Sequence, residues 1–194
     1  MAATTVSRTT DGRALVARPA VSADARVVCA MIDAVAAEPD VPLLATPGSI
    51  TLRDVRTLIA RSARDPRGLF LVAEVDGVVA GNLGGAGVAF GPSSHVFELG
   101  MSVAAAYRGL GVGAALLEAA AAWAAAAGFA KVMLSAFPHN SRAIAFYERH
   151  GFTFEGRRVR QFQRAGRFYD EVLMGRDLGP AAAPPPAAAA PFGG

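Results

Sequence analysis

Three glycines alternate with other residues just before a predicted helix, and this pattern limits what the chain can fold into. Gly109, Gly111 and Gly113 follow Arg108 at every second position, and residues 114–127 are rich in alanine. Alternating glycines form poor helices and poor strands, whereas alanine is the strongest helix former. The chain therefore turns tightly with little side-chain cover and then begins a helix. Because the first N–H groups of a helix lack backbone partners and carry partial positive charge, such a loop can bind an anion.

Two familiar phosphate-binding motifs can be compared with this loop. A P-loop has Lys and then Ser or Thr after its last glycine, but Ala114 and Ala115 stand at those positions, which excludes it. A dinucleotide-binding loop fits better, because Gly109, Gly111 and Ala114 match its looser form. That motif also requires an acidic residue roughly 20 positions on, at the end of the next strand. The strand predicted at 131–137 carries no carboxylate, so a dinucleotide-binding oxidoreductase is the less favoured alternative.

Composition excludes several other classes of protein. The net charge of +3 is small and the arginines are scattered, which argues against a nucleic-acid partner. The single cysteine, Cys29, excludes an internal disulfide and a cysteine-based metal cluster. His139 and His150 have no second ligand at metal-binding spacing, so no metal is predicted. Neither a signal peptide nor a long apolar span is visible, which predicts no membrane contact and a cytoplasmic location.

The hydrophobic pattern predicts one domain with two appendages. Residues 1–12 are polar and are expected to be a flexible N-terminus, residues 13–178 form the domain, and the Pro/Ala-rich residues 179–194 form a disordered tail. The predicted order of elements is β-α-α-β-β-β-α-β-α-β-β. It corresponds to an α/β or α+β fold, with a mixed sheet of about six to seven strands and about four helices on its two faces. A helix of crossover length separates the strand before the glycine loop from the strand at 131–137, so these two strands are expected to be parallel.

Two segments resemble one enzyme family. Residues 102–117 read SVAAAYRGLGVGAALL and resemble the acetyl-CoA signature R/Q-x-x-G-x-G/A of the GNAT N-acetyltransferase superfamily, with Val103 five residues before Arg108. Residues 140–152 read NSRAIAFYERHGF and resemble the next helix of that family, with a tyrosine seven residues after the asparagine. Ala105 departs from the family, many members of which have proline there. The resemblance covers residues 14–178 and implies a GNAT fold with acetyl-CoA as cosubstrate.

The resemblance also implies how the coenzyme is held. The glycine-loop amides would surround the pyrophosphate, since glycine lets phosphate oxygens approach the backbone. The strand before the loop would pair with the pantetheine arm and direct an N–H, for which Met101 is the first choice, at the thioester oxygen. An asparagine at the start of the second motif could bind the coenzyme or simply cap its helix. The predicted coenzyme-binding residues are Met101, Ser102, Val103, Arg108, Gly109, Leu110, Gly111, Val112, Gly113, Ala114, Asn140 and Tyr147.

Candidate catalytic residues lie on three elements. Tyr147 could protonate the leaving thiolate, because its ordinary pKa near 10 keeps the phenol protonated at neutral pH; the structural alternative is a tyrosine that only packs on its helix. Glu98 is a carboxylate in an apolar strand, so it either faces a wet cleft or pairs with an arginine, and the resemblance implies a general base there. Asp170 and Glu171 compete for that role, and these two residues and Tyr169 are also candidates for binding the acceptor.

The favoured function is therefore acetyl transfer from acetyl-CoA to a primary amine of a small molecule. The resemblance places the acceptor between the two N-terminal helices and the final hairpin, and it allows a homodimer. Composition does not distinguish an amino acid, a polyamine, an antibiotic or a peptide N-terminus as acceptor. A non-catalytic acyl-CoA-binding or regulatory module on the same fold is the alternative from another class, because a fold does not determine a function.

Overall fold

A computed structural model describes residues 4–38, 45–89, 91–164 and 166–180 of this chain. Within them, one mixed sheet contains eight strands in the order β1-β2-β3-β4-β5-β6-β8-β7. All neighbouring pairs are antiparallel except β5 and β6, which are parallel as predicted. The strands are β1 Thr5–Arg8, β2 Ala14–Pro19, β3 Gly68–Val75, β4 Val78–Gly87, β5 Val96–Val103, β6 Lys131–Ala136, β7 Thr153–Arg164 and β8 Arg167–Asp177.

Four α-helices cover the two faces of the sheet in the described residues. They are α1 Ala25–Ala36, α2 Leu52–Ser62, α3 Val112–Ala126 and α4 Ser141–Arg149. One apolar cluster packs α1 and α2 against side chains of β3, while a larger cluster packs α3 and Tyr147 of α4 against the opposite face. The alternation of side chains along β3 explains the division, because successive residues of a strand point to opposite faces. The predicted single domain with a mixed sheet and helices on both faces is confirmed.

The sheet has one strand more than the predicted six to seven, and it comes from the N-terminus. Residues 1–12 were expected to be flexible, yet Thr5–Arg8 pairs with β2 along its whole length. All four residues of β1 are exposed, so the strand has no buried apolar face for periodicity to detect. The free edge of β2 satisfies its backbone instead. Of the predicted tail, residues 181–194 lie outside the described part of the chain.

Strands β5 and β6 separate after a short paired segment, and this split positions the site. They pair only from Val96 with Lys131 to Glu98 with Met133, although both strands continue beyond those residues. Antiparallel pairing with β4 continues along β5 as far as Val103. The second half of β5 therefore has a backbone edge directed towards β6 without strand pairing.

Candidate active site

A cavity of about 1110 Å³ occupies this split and continues beneath α1. Its wall includes the second half of β5, the end of β6, the glycine loop and α4 on one side, and residues of α1 and α2 on the other. Pockets for drug-sized ligands measure about 300–1,000 Å³. The cavity is therefore large enough for an extended coenzyme arm together with a small second ligand.

The glycine loop has the backbone conformation that its sequence predicts. Gly109 and Gly111 have φ of 78° and 90°, a left-handed region that costs other L-residues energy, and a Cβ at either position would meet nothing within 4 Å. Gly111 is the N-cap of α3, whose hydrogen-bond ladder begins with the Ala115 N–H donating to the Gly111 carbonyl. The preceding N–H groups of the helix have no intrahelical partner, as at any helix start.

The turn between β1 and β2 packs against the outside of this loop. The Thr10 N–H donates to the Leu110 carbonyl (3.2 Å), and the Thr10 hydroxyl donates to the Gly109 carbonyl (3.4 Å). Because the C=O and N–H of a trans peptide point in opposite directions, the N–H groups of Leu110 and Gly111 point away from Thr10. These two hydrogen bonds from the N-terminal segment orient the glycine loop. No local sequence pattern indicates this contact.

Gly113 has a different role from the other two glycines. It lies inside α3, and a Cβ there would stand 3.3 Å from the ring of Phe146 and 3.4 Å from the methyl carbon of Met101. Phe146 of α4 thus packs closely on the start of α3, and a side chain at this position would make the ends of Phe146 and Met101 shift by a few tenths of an ångström. Glycine at position 113 is thus favoured by helix packing, in addition to the predicted approach of phosphate to the backbone.

The Arg108 side chain is engaged by protein groups. Its guanidinium makes two hydrogen bonds to the Glu38 carboxylate at the end of α1, at 2.6 and 2.8 Å, and its Nε donates to the Val103 carbonyl at 3.0 Å. The last contact explains the five-residue spacing between valine and arginine in the motif. Hydrogen bonding to Arg108 lowers the pKa of Glu38. The guanidinium therefore fastens α1 to the loop, and Arg108 faces any anion mainly through its backbone.

The free edge of β5 presents alternate residues to the cavity. The Val96 carbonyl accepts from Val88, and the Ala104 N–H donates to Ala80, so these even-numbered residues direct their backbone groups towards β4. Since this direction alternates along a strand, Leu99, Met101 and Val103 direct theirs towards the split. The Met101 N–H therefore points into the split, whereas Ser102 directs its backbone to β4.

Two predicted residues of α4 line the same cavity. The Asn140 side chain accepts from the Ala143 N–H (3.1 Å) and so caps the helix, which is its structural interpretation. Tyr147 is 8% exposed and packs against Phe146 and Phe152. Burial raises the pKa of Tyr147 to about 12, so its phenol is protonated at any physiological pH.

Glu98 lies on the other face of the sheet from Tyr147. It pairs with Ala86 of β4 and Met133 of β6, its side chain is exposed, and it points to the side covered by α1 and α2. It stands where β5 and β6 begin to separate. Its side chain is open to solvent, but Glu98 is not among the residues that line the cavity.

The three candidates on β8 take part mainly in contacts within the hairpin of β7 and β8. Asp170 accepts from the Arg160 N–H (2.7 Å) and pairs with Arg157 (2.5 Å), and these hydrogen bonds lower its pKa. Glu171 is buried and pairs with Arg158 at 2.9 Å. The carboxylates of Asp170 and Glu171 are therefore already paired with arginines. Tyr169 packs in a ring cluster with Phe137, His139 and Phe162.

The described residues contain no group of three or more histidine, cysteine, aspartate or glutamate side chains that could hold a metal ion. None of the helices in the same residues is long and apolar enough to cross a membrane.

Comparison with known proteins identifies the family. The profile of the Acetyltransferase (GNAT) family matches residues 39–152, more than half of the chain. The chain belongs to the GNAT acetyltransferase family. The predicted resemblance is thereby confirmed, and with it the class of enzyme. The glycine loop, the split strands and the second motif of this GNAT protein all fall within the matched residues or adjoin them.

Three relatives show how far the similarity extends. A Bacillus subtilis (strain 168) protein provisionally named phosphinothricin acetyltransferase YwnH is 33% identical over 81 residues, which cover 42% of this chain and half of that relative. A ribosomal-protein-alanine N-acetyltransferase from Brucella melitensis is 26% identical, with a TM-score of 0.74 over 83% of this chain and 98% of its own. The Sinorhizobium meliloti phosphinothricin acetyltransferase in complex with AcCoA is 21% identical, with a TM-score of 0.76 over 95% of this chain and 97% of its own, which shows a shared fold.

Proposed function

We propose that this protein transfers an acetyl group from acetyl-CoA to a primary amine of a small molecule. The observation that carries the proposal is the split between β5 and β6, where a free strand edge meets a loop of glycine amides in one cavity. A solved relative of the same fold is in complex with AcCoA, and the name of the Bacillus relative refers to a small-molecule acceptor. The Brucella relative, by contrast, is named for a protein acceptor.

The residues present fit the coenzyme. Gly109 and Gly111 leave open space above a positive-φ backbone, which suits a pyrophosphate approaching amides. Met101 offers its backbone N–H and carbonyl, and Val103 its N–H, to an extended pantetheine arm, while the Val103 carbonyl accepts from Arg108. Asn140 and Tyr147 complete the wall. When bound there, acetyl-CoA supplies an acetyl group activated as a thioester.

Three groups of the protein would polarise the thioester carbonyl and transfer the protons. In the transfer a C–N bond to the amine forms and the C–S bond breaks; the amine loses a proton and the departing sulfur gains one. The Met101 N–H would stabilise negative charge on the carbonyl oxygen. The Tyr147 hydroxyl would give its proton to the sulfur, since burial keeps the phenol protonated. Glu98, exposed on the α1 face beside the split, would accept the amine proton directly or through water.

The test is release of free thiol from acetyl-CoA in the presence of a panel of primary amines. Tyr147→Phe should lower kcat by about 10²-fold or more, the usual contribution of a general acid, while the calorimetric Kd for CoA changes little. Tyr107→Phe is the matched control, because Tyr107 lines the same cavity but lies under Arg13 rather than within α4.

Three outcomes would count against parts of the proposal. Wild-type kcat in Tyr147→Phe would exclude the tyrosine as proton donor. Tight CoA binding without thiol release for any amine would indicate the non-catalytic module instead. An unchanged pH–rate profile in Glu98→Gln would assign the base to another group or to water.

A further inference from the structure

One face of β4 and β5 forms a floor beneath α1, and its residues follow from the register. The cross-strand pairs on this face are Asn82 with Ser102, Gly84 with Gly100, and Ala86 with Glu98. Their neighbours on β3 are Val72 and Phe70, which belong to the apolar cluster that holds α1 and α2. The floor is therefore on the α1 side of the sheet, on the same face as Glu98.

The middle of the floor carries no side chains. A Cβ at Gly100 would meet nothing within 4 Å, whereas one at Gly84 would stand 3.1 Å from the Phe70 ring. Both glycines line the cavity, as do Ile32 and Val35 of α1 above them. The space over Gly100 is thus open, has apolar walls, and lies one residue from the Met101 backbone edge.

One end of the floor is a buried polar pair. Asn82 and Ser102 are each 6% exposed, and the Ser102 hydroxyl donates to the Asn82 Oδ1 at 2.6 Å. That bond leaves the NH₂ group of Asn82 with two hydrogens to donate, and no described residue accepts them. Because none of the fully buried side-chain nitrogen and oxygen atoms in the described residues lacks a partner, this nitrogen is open to the cavity that Asn82 lines. Buried polar groups in proteins are nearly always hydrogen-bonded. A donor on a cavity wall beneath α1 is therefore available to a ligand.

We propose that Asn82 binds an oxygen of the acceptor, so that the substrates of this enzyme are small primary amines carrying a carboxylate or amide oxygen. This inference rests on the proposed acetyl transfer. If the amine nitrogen lies over Gly100, the oxygen that binds Asn82 lies over the next cross-strand pair on the same face. Successive pairs on one face are about 6.8 Å apart along the strand. Allowing for the reach of the Asn82 side chain, nitrogen and oxygen are about 4–7 Å apart. Because Gly84 and Gly100 have no side chains, the floor has room for the carbon chain that joins the amine nitrogen of the acceptor to its oxygen.

The test compares amines that differ only in the oxygen group. The panel contains 3-aminopropanoate and 4-aminobutanoate, their amides, and unbranched alkylamines of the same length, with acetyl-CoA as donor. In the wild type, kcat/KM should be about ten-fold higher for the oxygen-bearing amines, as expected for one satisfied buried donor. Carboxylates and amides within the panel distinguish the two sources of oxygen.

Three variants separate this role from a structural one. Asn82→Leu, which is neutral and of similar volume, should remove the preference by raising KM for the oxygen-bearing amines, with KM for alkylamines and Kd for CoA unchanged. Asn82→Asp keeps an acceptor for Ser102 but replaces the donor with a carboxylate. It should therefore disfavour the carboxylate-bearing amines relative to alkylamines, whereas the amides can donate their NH₂ hydrogens to it. Gly100→Val has room for its side chain and favours strand structure, so it should fold and raise KM for every amine.

The outcomes distinguish this inference from the proposed function. Thiol release with no preference for oxygen, or a preference that survives Asn82→Leu, would overturn the inference and leave acetyl transfer standing. If no amine releases thiol, the proposed function fails. Calorimetric binding of the same panel to the CoA-bound wild type and Asn82→Leu then decides the inference, and equal binding to both proteins would overturn it.

Discussion

The contact between Arg108 and Glu38 makes a quantitative prediction about the glycine loop. The guanidinium is 16% and the carboxylate 27% exposed, and two hydrogen bonds join them across 70 residues of sequence. Hydrogen bonds to charged groups contribute about 1.5–3 kcal/mol, and partial exposure reduces that value. We expect a coupling free energy of about 1–2 kcal/mol in a double-mutant cycle of Arg108→Met and Glu38→Gln.

Urea unfolding at neutral pH measures this coupling. Because Arg108 lowers the pKa of folded Glu38 below its ordinary value of 4.5, the stabilisation is present above about pH 4.5 and is lost as the pH falls through the folded value. The coupling should therefore be complete at pH 7 and should decrease as the pH falls below 4.5. A coupling below about 0.3 kcal/mol at pH 7, the usual limit of additivity, would refute the stabilising role.

Coenzyme affinity provides the second assay on the same four proteins. Both substitutions break the contact between Arg108 and Glu38 and leave the loop amides in place, so each single variant should raise the Kd for CoA. Arg108→Met also removes the bond from Nε to the Val103 carbonyl and should raise the Kd somewhat more than Glu38→Gln. The double variant should raise it no further than Arg108→Met. If Arg108→Met weakens CoA about ten-fold more than Glu38→Gln, the guanidinium itself contacts phosphate and the reasoning from its pairing is wrong.

Two further predictions concern stability. Burial raises the pKa of Tyr147 from 10 to about 12, so only the unfolded chain ionises between these values, and the free energy of unfolding should fall by about 1.4 kcal/mol per pH unit there relative to Tyr147→Phe. Parallel alkaline unfolding curves for both proteins would contradict this. Gly85→Ala would place a Cβ 2.5 Å from the Glu98 carbonyl oxygen and should cost about 1–3 kcal/mol in urea unfolding. The matched control Gly100→Ala, with open space, should unfold near the wild-type midpoint, and equal midpoints for both variants would refute the packing argument.

Much of the fold could be predicted because its signals are local. The Asp76–Gly77 turn has positive φ at both residues, as a tight hairpin requires. Helix α3 begins at the glycine loop, and β5 and β6 are parallel because a helix connects them. In contrast, β1 was missed because its stability comes from pairing with β2 and not from its own exposed side chains.

The site divides in a similar way between sequence and structure. The loop amides and Tyr147 could be located from motif spacing, and the structure brings both to one cavity. The partners of Arg108 and Asp170 could not be predicted, since Glu38 and Arg160 reach them only through packing and strand pairing. Asn82 gave no motif signal.

By itself, the sequence determined the order of the elements after β1, the glycine turn before α3 and the family, because each depends on residues adjacent along the chain. Only the tertiary structure decided which charges are already paired and which face of the sheet is open beneath α1. The pairing of Gly84 with Gly100 illustrates the reason. A floor without side chains exists only when β4 and β5 align in this register, and register is set by the packing of the whole sheet.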